Sequence, residues 1–119
     1  MSKIEYEVTT YTGDRDFAGT DANVYIYIRG TEGSTDQIFL DNDENNFERG
    51  KVDFFRVVGQ NVGTPKQITI GHDNSGEHAG WYLDKATVRA HGTTYTFPCD
   101  NWFGKSDGDG KTERDLDAD

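Results

Sequence analysis

Three stretches of the chain crowd oxygen donors between apolar runs: TGDRDFAGTDAN (12–23), DNDENNFERG (41–50) and GHDNSGEHAG (71–80). Carboxylates, side-chain amides and backbone carbonyls on glycine-containing loops are the donors a hard cation such as calcium uses, about six to eight oxygens in a flexible geometry. The middle stretch carries four acids and three Asn within ten residues. Such crowding raises the cost of folding unless water or a cation offsets it. A solvated polar loop is the competing reading, but Phe47 stands apolar inside the acidic run. It would pin the loop against a core and preorganise Asn45, Asn46 and Glu48 for a cation.

An EF-hand does not fit. Counted from Asp41, position 6 is Asn46 where Gly is required and position 12 is Val52 where a bidentate Glu is required. Counted from Asp107, the same positions hold Thr112 and Ala118. Calcium must therefore be held by loops that other elements bring together.

The remaining reactive residue types carry less. GHDNSG (71–76) places His, Asp and Ser on one loop, yet a triad needs a base within reach of the nucleophile and an orienting acid behind it, which close sequence neighbours rarely achieve. The nucleophile-elbow spacing fails because position 73 is Asp. His72, His78 and His91 lack the spaced partners of a zinc site. Cys99 has no pair for a disulfide and no evident activating neighbour, so it reads as a small core side chain.

The elements that must position the loops alternate with period two: residues 4–11, 23–30, 35–40, 51–58, 66–72, 81–90 and 93–97 are rich in Val, Ile, Thr, Tyr and Phe and are separated by Gly, Asn and Asp clusters. Seven or eight such strands predict an all-β, two-sheet antiparallel sandwich, with a barrel second. In a sandwich, loops after alternate strands gather at one end, so the three acidic stretches could share an ion. Tyr25, Tyr27, Phe54, Trp81 and Phe97 fall within strands, whereas Phe17 and Trp102 fall in polar loop settings suited to a membrane or protein contact. At 119 residues one domain over 1–112 is expected, with 113–119 a disordered acidic tail.

The formal charge of −10 and the absence of a basic stripe argue against nucleic acid. A bare anionic membrane should also repel the chain unless bound cations reverse the local sign. There is neither a leader-like start nor a run of 18 apolar residues, so a soluble, monomeric chain is expected, cytoplasmic or secreted as part of a larger protein.

Four ordered motifs, AGTDANVYIYIRG, NNFERGKVDFFRV, ITIGHDNSGEHAGWYLDKATV and YTFPCDNWF, together covering about residues 3–103, resemble the PLAT (lipoxygenase homology) domain. The resemblance implies an eight-stranded sandwich of two four-stranded sheets without catalytic activity of its own. It implies a module that targets membranes or proteins, often with calcium at loops on one end. Carried over by position, the ligands would be the Gly19 carbonyl, Asp21, Asn45, Asn46, Glu48 and Asp73, with Asp41 and Asp43 as a second tier, for one to three ions. The membrane-binding lipoxygenases of the family carry Trp where this chain has Asp16 and about Gly76, while Phe17 is kept and Trp102 matches a third aromatic. Weaker insertion is implied. A calcium-independent protein-interaction module with an acidic surface is the alternative.

Overall fold

The computed structural model describes residues 2–41, 46–76, 79–105 and 109–119. Among these residues nine antiparallel strands form two sheets: β1 (Lys3–Thr12), β5 (Val52–Gln60), β7 (Trp81–Ala90) and β8 (Thr93–Phe103) in the order β5-β1-β7-β8, and β2 (Val24–Gly30), β3 (Gly33–Ser34), β6 (Pro65–His72) and β9 (Glu113–Asp117) in the order β3-β2-β6-β9, with β4 (Ile38–Phe39) also paired to β2. The two-sheet sandwich matches expectation, but the second sheet has five strands rather than four. No helix occurs among the described residues, so none is long and apolar enough to cross a membrane.

The core lies between the inward faces, and the two faces differ in chemistry. The β5-β1-β7-β8 sheet contributes aromatics, with Tyr6, Phe55, Trp81, Phe97 and Phe103 all at most 1% exposed. The other contributes β-branched residues, Val24, Ile26, Ile28, Ile68 and Ile70. Flat rings thus stack against narrow branched side chains, the interdigitation that fills a sandwich about 10 Å thick. The polar tips are satisfied inside: the Tyr6 hydroxyl donates to Gln60 O at 2.6 Å and accepts from Val62 N at 3.1 Å, and Trp81 Nε1 donates to Thr12 Oγ1 at 2.9 Å.

Strand directions sort the connections between two ends. Thr12, Val24, Val52, His72, Trp81 and Phe103 lie at one end, so the acidic stretches 12–23, 41–50 and 71–80 converge there. The short turns lie at the other, and so do both termini: Asn61 N donates to Ser2 O at 2.8 Å and Ala118 N to Lys66 O at 2.9 Å.

Two expectations are corrected by pairing. β8 runs on through Trp102, because an edge strand tolerates Pro98 and a register shift opposite Leu83 and Lys85, where Asp100 takes φ 51°, absorbs an extra residue. Residues 113–117, expected to fray, form β9 against β6 in the register Gln67↔Asp117 to Gly71↔Glu113. Leu116 is its anchor, 8% exposed within the core cluster. Leu116→Ala should therefore lower stability by about 2 kcal/mol, read as the urea midpoint at constant slope; a midpoint equal to the parent's would return the segment to the status of a tail.

Candidate functional site

Phe47 is where the acidic end meets the core. It is 5% exposed, stacks on Phe55 at 5.5 Å between centroids and meets Trp81 edge-on at 5.3 Å. Its N–H donates to Asp53 Oδ2 at 2.7 Å. Asp53 is itself 1% exposed, and its other oxygen lies 3.2 Å from Lys51 Nζ. The loop 12–23 is then laid onto this anchor: Thr20 N donates to Phe47 O at 3.0 Å, and a Cβ built on Gly19 would come within 2.7 Å of the same carbonyl. Gly19 is thus required by close backbone approach. Arg49 ties the same two loops outside, Nε to Asp14 at 2.9 Å and a terminal nitrogen to Asp16 at 2.8 Å.

Between these loops and the start of β2 opens a cleft of about 460 Å³. Asp21, Asp41, Asn46 and Asn23 line it over an apolar floor that includes Leu40 and Phe47. Asn46 Oδ1 is buried without a hydrogen-bond partner among the described residues, which in a folded interior costs about 1–3 kcal/mol unless something meets it. The donors are all oxygen, with no thiol or imidazole among them, and that set fits a hard cation such as calcium. Among the described residues no three His, Cys, Asp or Glu side chains come together as a metal cluster; the expected ligands Asp43 and Asn45 lie outside those residues.

The other expected ligands fall elsewhere. Asp73 is not on the cleft wall; its carboxylate accepts from Asn23 N at 3.1 Å, Asn23 Nδ2 at 2.8 Å, Ser75 N at 3.1 Å and Ser75 Oγ at 2.6 Å. These donors, the Ser75 hydroxyl first and then the Asn23 amide, hold its carboxyl far below the usual carboxylate range. Glu48 is exposed beside Gly19 rather than in the cleft lining. Asp21 also packs on the third acidic stretch, its Cβ lying where a side chain on Gly76 would have to go.

The two candidate contact aromatics part company. Phe17 is 86% exposed at φ 63°, projecting from the loop end. Trp102 sits on β8, half-buried edge-on to Tyr82 at 5.3 Å, and its carbonyl accepts from Arg114 at 3.0 Å. Tyr82 takes Arg15 on its ring at 4.2 Å, so Trp102 closes a lateral stack instead of projecting from a loop. His72, which lacks the spaced partners of a zinc site, is a buried strut: Nδ1 accepts from Asn74 N at 3.0 Å while Nε2 faces Phe103 O at 2.8 Å. Cys99 is partly buried against the core, and burial pushes its thiol up to about 11, away from nucleophilic use.

The signal that composition missed is Asp53. In VDFFRVV, apolar residues occupy both parities of the strand, so period two does not decide which side faces in. The fold sends Asp53, Phe55 and Val57 inward and Val52, Phe54 and Val58 outward.

Known proteins place this architecture. A lipoxygenase homology domain-containing protein 1 from Mus musculus is 40% identical over 122 residues, 98% of this chain and 6% of that protein. The chain therefore spans only a small fraction of that relative. The crystal structure of coral 8R-lipoxygenase, described with calcium activation via a C2-like domain, superimposes at a TM-score of 0.86 with 31% identity over 97% of this chain and 17% of that one. A calcium-dependent 11R-lipoxygenase does so at 0.74 with 30% identity over 96% of this chain and 17% of its own. The PLAT/LH2 domain model matches residues 6–117, from the second residue pair of β1 to the last of β9, and the chain belongs to that family.

Proposed function

We propose that this chain is a non-catalytic, calcium-binding module that docks the protein bearing it onto a lipid surface or a partner protein through the loop end of the sandwich. The observation that carries the reading is the cleft: Asp21, Asp41 and the orphaned Asn46 Oδ1 share it, on loops fastened to the core through Phe47. Two similar lipoxygenases are described as calcium-activated or calcium-dependent, which supports the choice of ion.

Within this reading Asp21, Asp41 and Asn46 hold the ion and Glu48 supplies charge from the rim. Bound there, calcium would offset part of the −10 charge and let the loop end approach an anionic surface. Among the described residues Phe17 is the most exposed large apolar side chain at that end, at 86% against 53% for Phe39 and 54% for Val52. Burying it would contribute about 2 kcal/mol, too little alone for stable anchoring. Docking therefore depends on the ion and on charge rather than on insertion.

Calorimetry should show calcium binding by the parent. At a free concentration of about 100 times Kd the thermal transition should gain about 2.7 kcal/mol, with Asn46→Ala weakened and Asp21→Ala weakened further because it loses a formal charge as well as a ligand. Parent affinity in Asp21→Ala would remove the cleft from the account.

Asp73 separates staple from ligand. Its folded pKa lies below the unfolded value of about 3.9, so its contribution is present above that value and is lost as pH falls below about 4. Asp73→Ala in chelator should lower the thermal midpoint at pH 7 and flatten the acid limb below pH 4 relative to the parent. An effect seen only with calcium present would make Asp73 a ligand instead.

A further inference from the structure

The two outer faces of the sandwich carry opposite charge in the same layout. On the outward side of the β5-β1-β7-β8 sheet, Val52, Phe54 and Val58, 54%, 46% and 62% exposed, form an apolar row along β5 that Arg56 interrupts. Two strands away, across β1, Lys85 and Arg89 form a basic row on β7. On β1, β5 and β7 this face holds four cations, Lys3, Arg56, Lys85 and Arg89, against three carboxylates, Glu5, Glu7 and the half-buried Asp84, although the chain as a whole is strongly acidic. Glu7 is shared by Arg56 at 3.9 Å and Arg89 at 3.7 Å, which leaves the guanidinium groups exposed.

The outward side of the other sheet inverts this pattern. Phe39, Tyr25 and Tyr27 form an aromatic row, edge-to-face at 6.1 and 5.9 Å. Two strands from β2, across β6, β9 presents Glu113, Asp115 and Asp117 outward, with Arg29 the one cation facing them among the described residues. On both faces the apolar and charged rows are two strand spacings apart, about 9.6 Å. Between the rows lie Thr9 and Tyr11 on β1, with Lys85 Nζ 4.7 Å over the Tyr11 ring, and Gln67, Thr69 and Gly71 on β6, across which the Tyr25 hydroxyl donates to Glu113 at 2.8 Å.

We propose that a second copy of this chain docks on these surfaces, the basic face of one copy against the acidic face of the next. Apolar row meets aromatic row, and Lys85 and Arg89 meet the β9 carboxylates. The contact is heterologous, so it propagates as an open stack rather than closing as a symmetric dimer. It leaves most of the loop end clear: of the residues in the apolar, aromatic and charged rows only Phe39 also lines the cleft. A patch four strand spacings wide and about seven residues long covers about 450 Å² per copy, below the about 800 Å² per partner of a stable complex, so the association is weak. At physiological ionic strength the about 8 Å screening length suppresses the repulsion of net charge while leaving contact pairs effective.

Sedimentation equilibrium of the chain from about 10 µM to about 1 mM at physiological salt, in chelator, tests this independently of calcium. The parent's weight-average mass should rise past that of a dimer. Lys85→Glu/Arg89→Glu and Glu113→Lys/Asp117→Lys should each lose association at least tenfold, and the variant carrying all four should regain it. Circular dichroism confirms that each folds; Phe54→Glu, which interrupts the apolar row at an exposed site, replaces any that does not and should lose association too. A parent monomeric throughout would mean the faces serve an unlike partner or none, and would overturn the proposal. So would association lost with the basic face alone, the mark of a symmetric dimer, or a four-fold variant that stays monomeric.

Discussion

Everything at the acidic end depends on one buried contact, the Phe47 ring against Phe55 and Trp81 with its N–H held by the Asp53 carboxylate. Loops rich in acids repel one another and would spread in water. Here a ring of about 2 kcal/mol burial and a charge-assisted hydrogen bond fix one loop, and the backbone of the next is laid on it through Thr20 and Gly19. The buried carboxylate is tolerable because Lys51 lies 3.2 Å away; stripped of its partners it would be an uncompensated interior charge. The cleft geometry is therefore a property of the core rather than of the loops that line it.

How much of this could be read from residues alone follows from which interactions are local. Strand alternation is local, and it located β1, β2, β5, β6 and β7 to within a few residues. β9 escaped because ERDLD offers a single inward apolar residue, and an edge strand needs no more than Leu116 to hold it. The far half of β8 escaped because Pro98 and Asp100 read as a break, which an edge strand with a bulge absorbs. Phe47 was legible, since an apolar residue inside an acidic run has few reasons to be there. Asp73 and Asp21 are the same chemical type in similar loops, and what separates them is Asn23, fifty residues from Asp73, which claims that carboxylate. Sequence cannot show such a claim, and so it cannot sort staples from free ligands.

Charge is distributed with the same dependence on strand parity. Read as composition, −10 suggests an acidic surface throughout. Alternation instead sends Lys85 and Arg89 out on one sheet, and Glu113, Asp115 and Asp117 out on the other. A one-residue slip in β7 or β9 would bury these rows and expose Ala86, Val88 and Leu116 in their place. The buried core thus sets the electrostatics of the surface, because the register that hides Val88 is the one that displays Arg89.

The placement of the termini bears on how these surfaces can be used together. Ser2 and Ala118 are both bonded near the β5–β6 connection, at the end opposite the cleft. Contacts made by the charged rows of the lateral faces are therefore sterically independent of contacts made by the loop end and of whatever chain is joined at either terminus, although Phe39 belongs both to the aromatic row and to the cleft wall. They are also independent energetically to first order: the β7 and β9 charged rows and the cleft share no side chain, and surface charges more than about 8 Å apart are largely screened in physiological salt. An ion at the loop end would thus change what that end can approach while leaving the lateral faces as they are, since the strands between them are locked by the same packed core.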